Sequence, residues 1–472
     1  MEQGKDEKMN KKRANFTGTI GFVMAAPGSA VGLGNIWRFP YLAAKDHGGV
    51  FILCYLILAV TFGFTLLTTE IAIGRKTGRS PLTAYAAIQP KWKGLGVLAC
   101  LVPIIILPYY CVIGGWVVKY FATFVTGAGS AAAGDDYFAG FIQGQYQPII
   151  WMFIFFIMTA FVVFNGVNKG IEKYSKILMP ILFVLIAGIS VFSLTLKHTN
   201  ADGVTRTGMQ GLAIYLIPNF RGMTVKSFLS VVMDALGQLF FSISVAMGIM
   251  VAYGSYVKKD VNLMKSINQI EIFDTGIALI SGLMIVPAVY LFSGGDESAM
   301  QAGSGLMFIT LPKVFAGMPF GTAIGAIFFL LVLFAALTSS ISLMETVVSI
   351  IRDKTSLSRR KAAFLTLGVS VLLGIPSSLG FGLWSKIKPL GMSILDFFDF
   401  ISNSILMPVV AFLTCIFVVW FVGLQSIVDE IKLSSQFKRE KMFRVMIQYI
   451  APVCIVLILV SSVLNSLGVI KI

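Results

Sequence analysis

Residues 28–40 read GSAVGLGNIWRFP and stand inside the first hydrophobic segment of the chain. Three glycines, an asparagine, an arginine and a proline are poor material for a membrane helix, because an unpaired polar group at bilayer depth costs several kcal/mol. Irregular backbone survives there only where protein, water, an ion or a ligand satisfies its N–H and C=O groups. The glycines permit φ > 0 and close approach of a ligand. A break here would free the carbonyls of Gly28, Ala30 and Val31 as hard oxygen ligands for a cation. It would also free the N–H groups of Leu33 and Gly34, at the positive start of a second half-helix, for a carboxylate.

The rest of the chain supports a membrane setting. Of its 472 residues 57% are hydrophobic and 12% charged, and the mean hydropathy is +0.85. That charge fraction is about half that of a soluble domain, and the apolar runs are continuous, unlike the short alternating strands of a membrane barrel. The formal charge of +15 reports orientation, and no nucleic-acid partner follows from it. Twenty-six of the 37 Lys and Arg residues lie in the N-terminal tail and in every second loop, which predicts a cytoplasmic N-terminus. All five cysteines lie in apolar stretches, so no disulfide framework is expected. The charged first 15 residues do not read as a cleavable leader.

Hydrophobic segments fall at 18–42, 50–74, 95–125, 148–168, 171–195, 228–257, 263–293, 320–351, 362–380, 395–424 and 444–467. Eleven crossings put the C-terminus outside. The sixth segment carries FFSISVAMG, where serines and small residues interrupt the helix much as the glycines do in the first. Two breaks five segments apart imply two five-helix repeats, and an odd count per repeat forces inverted topology, with the breaks at the midplane. The fold class predicted is therefore an all-α membrane protein of 11 helices with a 5+5 inverted repeat. A tail over 1–17 precedes repeat 1 (18–195) and repeat 2 (228–424), and helix 11 (444–467) is additional.

GSAVGLGNIWRFPYLAAKDHGGVF closely resembles the first helix of the neurotransmitter:sodium symporters, specifically their eleven-helix bacterial amino-acid branch, which includes leucine and hydrophobic amino-acid transporters. EIAIGR, the YY pair, GQLFFSISVAMG, LTSSIS and the aspartate in the tenth segment continue the likeness. The resemblance implies two sodium sites and no organic cofactor. The first would use the Ala30 carbonyl, Asn35, Ser242 and Asp274 with the substrate carboxylate. The second would use carbonyls of Gly28, Val31 and Ala335 with the hydroxyls of Thr338 and Ser339. Animal members have Asn where Asp274 stands and require chloride, so Asp274 is expected to serve as a built-in anion. The alternatives are a neutral acid that hydrogen-bonds within the bundle, or a group that instead or additionally carries an antiported proton. Glu70 is expected to be an interior hydrogen-bonding strut.

The same resemblance implies the substrate. Monoamine carriers have an aspartate where this chain has Gly32, so here the ligand should bring its own carboxylate. Tyr110 would donate to it, beside the Leu33 and Gly34 amides. The ammonium would meet carbonyls of Ala30, Phe241 and Ser242, with help from Ser244. Ser29, Ile106, Phe241, Met247, Ser339 and Leu343 would line an apolar side-chain pocket with no charge to pair an acidic or basic substrate. Flexible Met247 leaves room for larger side chains. Arg38 and Asp399 are expected to close an outer gate; Arg13, Asp353 and Tyr256 an inner one. Gly170 and Pro180 permit local unwinding of the fifth segment.

The expectation is a chloride-independent, sodium-coupled symporter of neutral hydrophobic, including aromatic, L-amino acids in the inner cell membrane, its oligomeric state open. An osmolyte or small-amine symporter and a non-transporting sensor or channel on the same scaffold are the alternatives. No HExxH, GxSxG or P-loop pattern points to an enzyme.

Overall fold

The computed structural model describes residues 15–199, 203–295, 303–466 and 468. Arg13, assigned to the inner gate, lies outside the described residues. Among those described, ten helices are long and apolar enough to cross a bilayer, and one bent pair makes an eleventh span. The bent pair, α1, comprises Thr19–Ala30 and Gly34–Lys45, turned by 57°. There follow α2 (Gly49–Thr77), α3 (Pro90–Val125), α4 (Gln147–Phe164), α5 (Val167–Thr195) and α6 (Val225–Ser242, resuming as Ile249–Gly254). The remainder are α7 (Leu263–Phe292), α8 (Gly321–Lys354), α9 (Arg359–Leu379), α10 (Ile394–Val422) and α11 (Glu440–Ser466).

The eleven spans and both expected breaks are present. Hydropathy places the starts of α3 and α11 about a turn late. The reason is chemical: α3 opens with the Pro90–Trp92 turn and α11 with Glu440 and Lys441, polar helix that hydropathy does not register.

The break in α1 has a local cause. Pro27 lacks an N–H, and Val31 leaves the helix at φ −70°, ψ 101°, with its N–H held by the Pro27 carbonyl. The chain re-enters helix through a π-helical turn at Gly34–Arg38. In α6 the Thr224–Ser227 capping box starts the first half, and Ser244, Ala246 and Gly248 then turn the chain at φ 53°, 60° and 71°. Two of these are not glycine, so the break holds left-handed conformations costing about 1–2 kcal/mol each.

Around the broken pair stand long unbroken helices. α3 packs along α8, and α4 crosses α3 where a Cβ on Gly115 would stand 2.5 Å from the Met152 backbone nitrogen. Small residues let membrane helices approach closely where no hydrophobic force drives association. Likewise Gly74 of α2 faces the Val251 carbonyl of α6 so closely that a Cβ would stand 2.1 Å from it. Large apolar side chains such as Ile57, Val184 and Leu372 cover the outside of the bundle, which suits a lipid surround. A two-stranded antiparallel hairpin, Lys197–Thr199 with Thr205–Thr207, and the helix Leu311–Ala316 cap the face opposite the Lys- and Arg-rich loops.

Candidate functional site

The two breaks meet. The Ser244 hydroxyl donates to the Ser29 carbonyl at 3.1 Å, and the two serine hydroxyls lie 3.4 Å apart. Gln238 Nε2 donates to the Gly34 carbonyl at 3.1 Å, tying the second half of α1 to the first half of α6. A cavity of about 600 Å³ opens beside the junction, between α1, α3, α6, α8, α10 and α11. Ser29, Ala30, Leu33, Gly34, Asn35, Ile106, Tyr110, Phe241, Ser242, Ser244, Met247, Ser339 and Leu343 all line it.

Asn35, Ser242 and Asp274, from three helices, converge at the cavity wall, with Asp274 behind the other two. Asn35 Nδ2 donates to Ser242 Oγ at 2.9 Å and to Asp274 Oδ1 at 2.8 Å, and Ser242 Oγ donates to the same Oδ1 at 2.9 Å. Tyr55, absent from the expected set, reaches Asp274 Oδ2 at 3.5 Å. All four side chains are buried. Asp274 is thus a carboxylate at membrane depth held by three donors, the arrangement such a group requires. The side-chain ligand atoms on offer are all oxygen, which suits a hard monovalent cation better than a transition metal; among them Asn35 Oδ1 accepts the Gly32 N–H at 3.1 Å.

A second group lies where α1 faces α8. Ser339 Oγ donates to the Ser29 carbonyl at 3.1 Å and the Val31 carbonyl at 3.3 Å. The Thr338 hydroxyl turns to the Ala335 carbonyl at 3.1 Å, and a Cβ on Gly28 would touch Thr338 at 3.5 Å. Gly28, Val31, Ala335, Thr338 and Ser339 therefore form one cluster.

The Tyr110 hydroxyl is buried and makes no well-formed hydrogen bond, although Ser339 and the Leu33 backbone stand beside it. It stands 3.4 Å from where a Gly32 Cβ would be, and Ser339 Oγ stands 2.9 Å from that point, so a side chain at 32 would enter the cavity. A buried, unsatisfied donor costs about 1–3 kcal/mol unless a ligand takes it up.

Arg38 and Asp399 both line the cavity but form no ion pair with each other. Asp399 accepts from Tyr109 at 3.1 Å and from Asn403 at 2.5 Å, and Arg38 lies over the Phe241 ring, 5.7 Å from its centroid. The cavity stands open between them. On the opposite side Tyr256 donates to Glu345 Oε1 at 2.8 Å, Arg359 grips the Glu345 carboxylate through both terminal nitrogens, and Asp353 accepts from the Ser80 amide at 2.7 Å. Phe16 packs against Phe22, Tyr253 and Tyr256, closing that end.

Several site residues were not anticipated: Gln238, Tyr55, Tyr109, Asn403, Glu345 and Arg359. A polar side chain in an apolar run is the one sequence signal that marks the first five; Arg359, in the charged stretch before α9, lacks even that. Glu70 does act as a strut: its Oε1 accepts the Ala246 N–H at 2.6 Å and holds the strained turn of α6.

A family model described as "Sodium:neurotransmitter symporter family" matches residues 13–132 and 143–469. The chain is 33% identical over 473 residues to an uncharacterized sodium-dependent transporter, YhdH, of Bacillus subtilis, covering 98% of this chain and 99% of the relative. It is 24% identical to the human sodium- and chloride-dependent GABA transporter 2, covering 91% of this chain and 76% of that protein. Among solved structures, that of MhsT in complex with L-phenylalanine matches with a TM-score of 0.82 at 33% identity, over 95% of this chain and 100% of that one.

Proposed function

The chain belongs to the sodium:neurotransmitter symporter family of sodium-dependent transporters, and on that premise we propose that it couples sodium entry to uptake of neutral hydrophobic L-amino acids, aromatic ones included. The observation that carries this reading is the Tyr110 hydroxyl, buried without a well-formed hydrogen bond in a cavity beside the N-terminus of a half-helix, with the Leu33 backbone and Ser339 next to it. A carboxylate supplied by the ligand would satisfy that hydroxyl and the Leu33 and Gly34 amides together. The phenylalanine in the similar MhsT structure is the same class of ligand.

In this reading Asn35, Ser242 and Asp274 receive one sodium with the Ala30 carbonyl and the substrate carboxylate. Gly28, Val31, Ala335, Thr338 and Ser339 receive a second. Because the first ion shares the carboxylate, each ligand raises the other's affinity by the same factor. Asp274 supplies negative charge within the protein, so chloride is not needed. Ser29, Ile106, Phe241, Met247 and Leu343 surround the substrate side chain.

The open cavity between Arg38 and Asp399 fits an outward-facing state, with the positive-inside charge pattern assigning that side to the exterior. Pairing of Arg38 with Asp399 would close it, and an inner gate made by Arg13, Asp353 and Tyr256 would open on the other side. Residues 18–195 and 228–424 are the repeats that rock about the site, helix 11 (444–467) stands beside them, and the inner membrane is the setting.

Uptake by the purified protein in proteoliposomes tests this. Phenylalanine, tyrosine, tryptophan or leucine should accumulate with external sodium and not with potassium, with or without chloride. Preferred uptake of glutamate or lysine, or of a small osmolyte, would overturn the substrate assignment; ligand binding without accumulation would favour a sensor.

A further inference from the structure

At the far end of α1 from the break, the chain leaves helix at Asp46, with His47 and Gly48 both at positive φ. Asp46 is only 5% exposed. Its Oδ1 lies 3.9 Å from Lys45 Nζ, while its Oδ2 is buried and takes no hydrogen bond. Across the seam, Asp234 of α6 takes the Lys45 ammonium at 2.9 Å. Two carboxyl groups thus share one ammonium at the outer edge where α1 meets α6, the same two helices that carry the breaks.

Other groups near this seam do not neutralise Asp46. Arg38, whose charge also acts on Asp234, and Tyr41 lie further back on the same half-helix, and His47 follows Asp46 in the turn. The helix Gly208–Leu216 presses its last backbone carbonyls against Gly48 and Gly49, and its Tyr215 hydroxyl is taken by the Leu279 carbonyl. On α7, Asp274 is bonded to Asn35 and Glu271 pairs with Arg439. Asp46 also sits at the negative end of a helix dipole, which disfavours a carboxylate.

We propose that Asp46 and Asp234 form a proton-binding site that seals the outer seam between α1 and α6: Asp46 holds one proton and donates it through Oδ2 to the Asp234 carboxylate, with Lys45 balancing the remaining charge. A bare carboxylate oxygen accepts only, so beside a second carboxylate it is repelled; protonated, it becomes the donor the seam lacks. Burial, with the facing Asp234 charge next, pushes the Asp46 carboxyl up from 3.8 to about 8, while Lys45 pulls it the other way. The site takes a proton and lies apart from the sodium ligands. Its consequence for the cycle rests on the transporter reading, but its test reads protonation, so the two fail separately.

An unfolded Asp46 releases its proton near the ordinary carboxylate value, so the folded chain binds one proton more between 3.8 and about 8. Stability from this site is full below that interval, declines as pH rises through it, and is level above. Thermal unfolding of full-length protein in detergent, from about pH 5 to about pH 9, should show the wild-type midpoint falling relative to Asp46→Asn. The gap should stop growing above about 8. Infrared difference spectra at neutral pH should contain a protonated-carboxyl band that Asp46→Asn removes. Lys45→Gln, at an exposed position, should move loss of the band to higher pH. Parallel unfolding curves, protonated-carboxyl intensity undiminished in Asp46→Asn, or no upward movement in Lys45→Gln would each overturn the proposal.

Discussion

Tyr110 concentrates the chemistry of the site into one hydroxyl. Tyr110→Phe keeps the ring and removes the donor, so amino-acid binding should weaken by about 1.5–3 kcal/mol, roughly 10- to 100-fold. Equilibrium binding of labelled phenylalanine with saturating sodium measures this, and unchanged affinity would contradict the role. Asp274→Asn removes the buried carboxylate but leaves a carbonyl oxygen. Its sodium half-saturation in chloride-free medium should rise by at least about tenfold, roughly 1.4 kcal/mol, and added chloride should recover part of the loss. At this scale the sequence was most informative about backbone: glycines and small residues mark the Gly28–Gly34 break without knowledge of partners. It was least informative about polar pairs. Gln238, Tyr109 and Asn403 are single polar residues in apolar runs, and only packing reveals that Gln238 reaches Gly34 and that Tyr109 and Asn403 both hold Asp399.

The broken helices are the elements on which coupling depends, and they are broken by different means. In α1 the sequence carries the cause in Pro27, Gly28, Gly32 and Gly34. In α6 the turn runs through Ser244 and Ala246 in the left-handed region, and Glu70 holds it from α2. Ala246→Gly should relieve strain and stabilise the protein by about 1 kcal/mol, read as a raised unfolding midpoint in detergent. Glu70→Ala should lower that midpoint, because the buried Ala246 N–H loses its acceptor, at a cost of about 1–3 kcal/mol. If the double variant loses as much as the sum of the singles predicts, the strut and the strain are independent; coupling between them predicts non-additivity. The interruption in α6 was legible from small and hydroxylated residues. The strained positions were not, since alanine and serine give no hint of positive φ until another helix enforces it.

For the molecule as a whole, the telling fact is a cavity of about 600 Å³ open between Arg38 and Asp399 while the other end is packed by Phe16, Tyr253 and Tyr256. In a background with the native cysteines replaced, Ser404→Cys on the cavity wall should react with a membrane-impermeant thiol reagent added outside. Sodium and phenylalanine together should slow that reaction, and potassium with phenylalanine should not. Equal rates under both conditions would separate the cavity from the transport cycle. Charge sorting among the loops suggested which side faces out, but charge alone does not say which gate stands open.

The sequence by itself determined the spans, their number, the interruption of the first and sixth, and the kinds of atom available for ions and a zwitterion. These follow from local physics: hydropathy over about 20 residues, and the backbone freedom of glycine and proline. The tertiary structure alone decided that Asn35, Ser242 and Asp274 touch, that Tyr110 is left without a well-formed hydrogen bond, and that Asp46 and Asp234 share Lys45. Each of these joins residues far apart in the chain, and a buried polar group takes its meaning from whichever neighbour completes its hydrogen bonds.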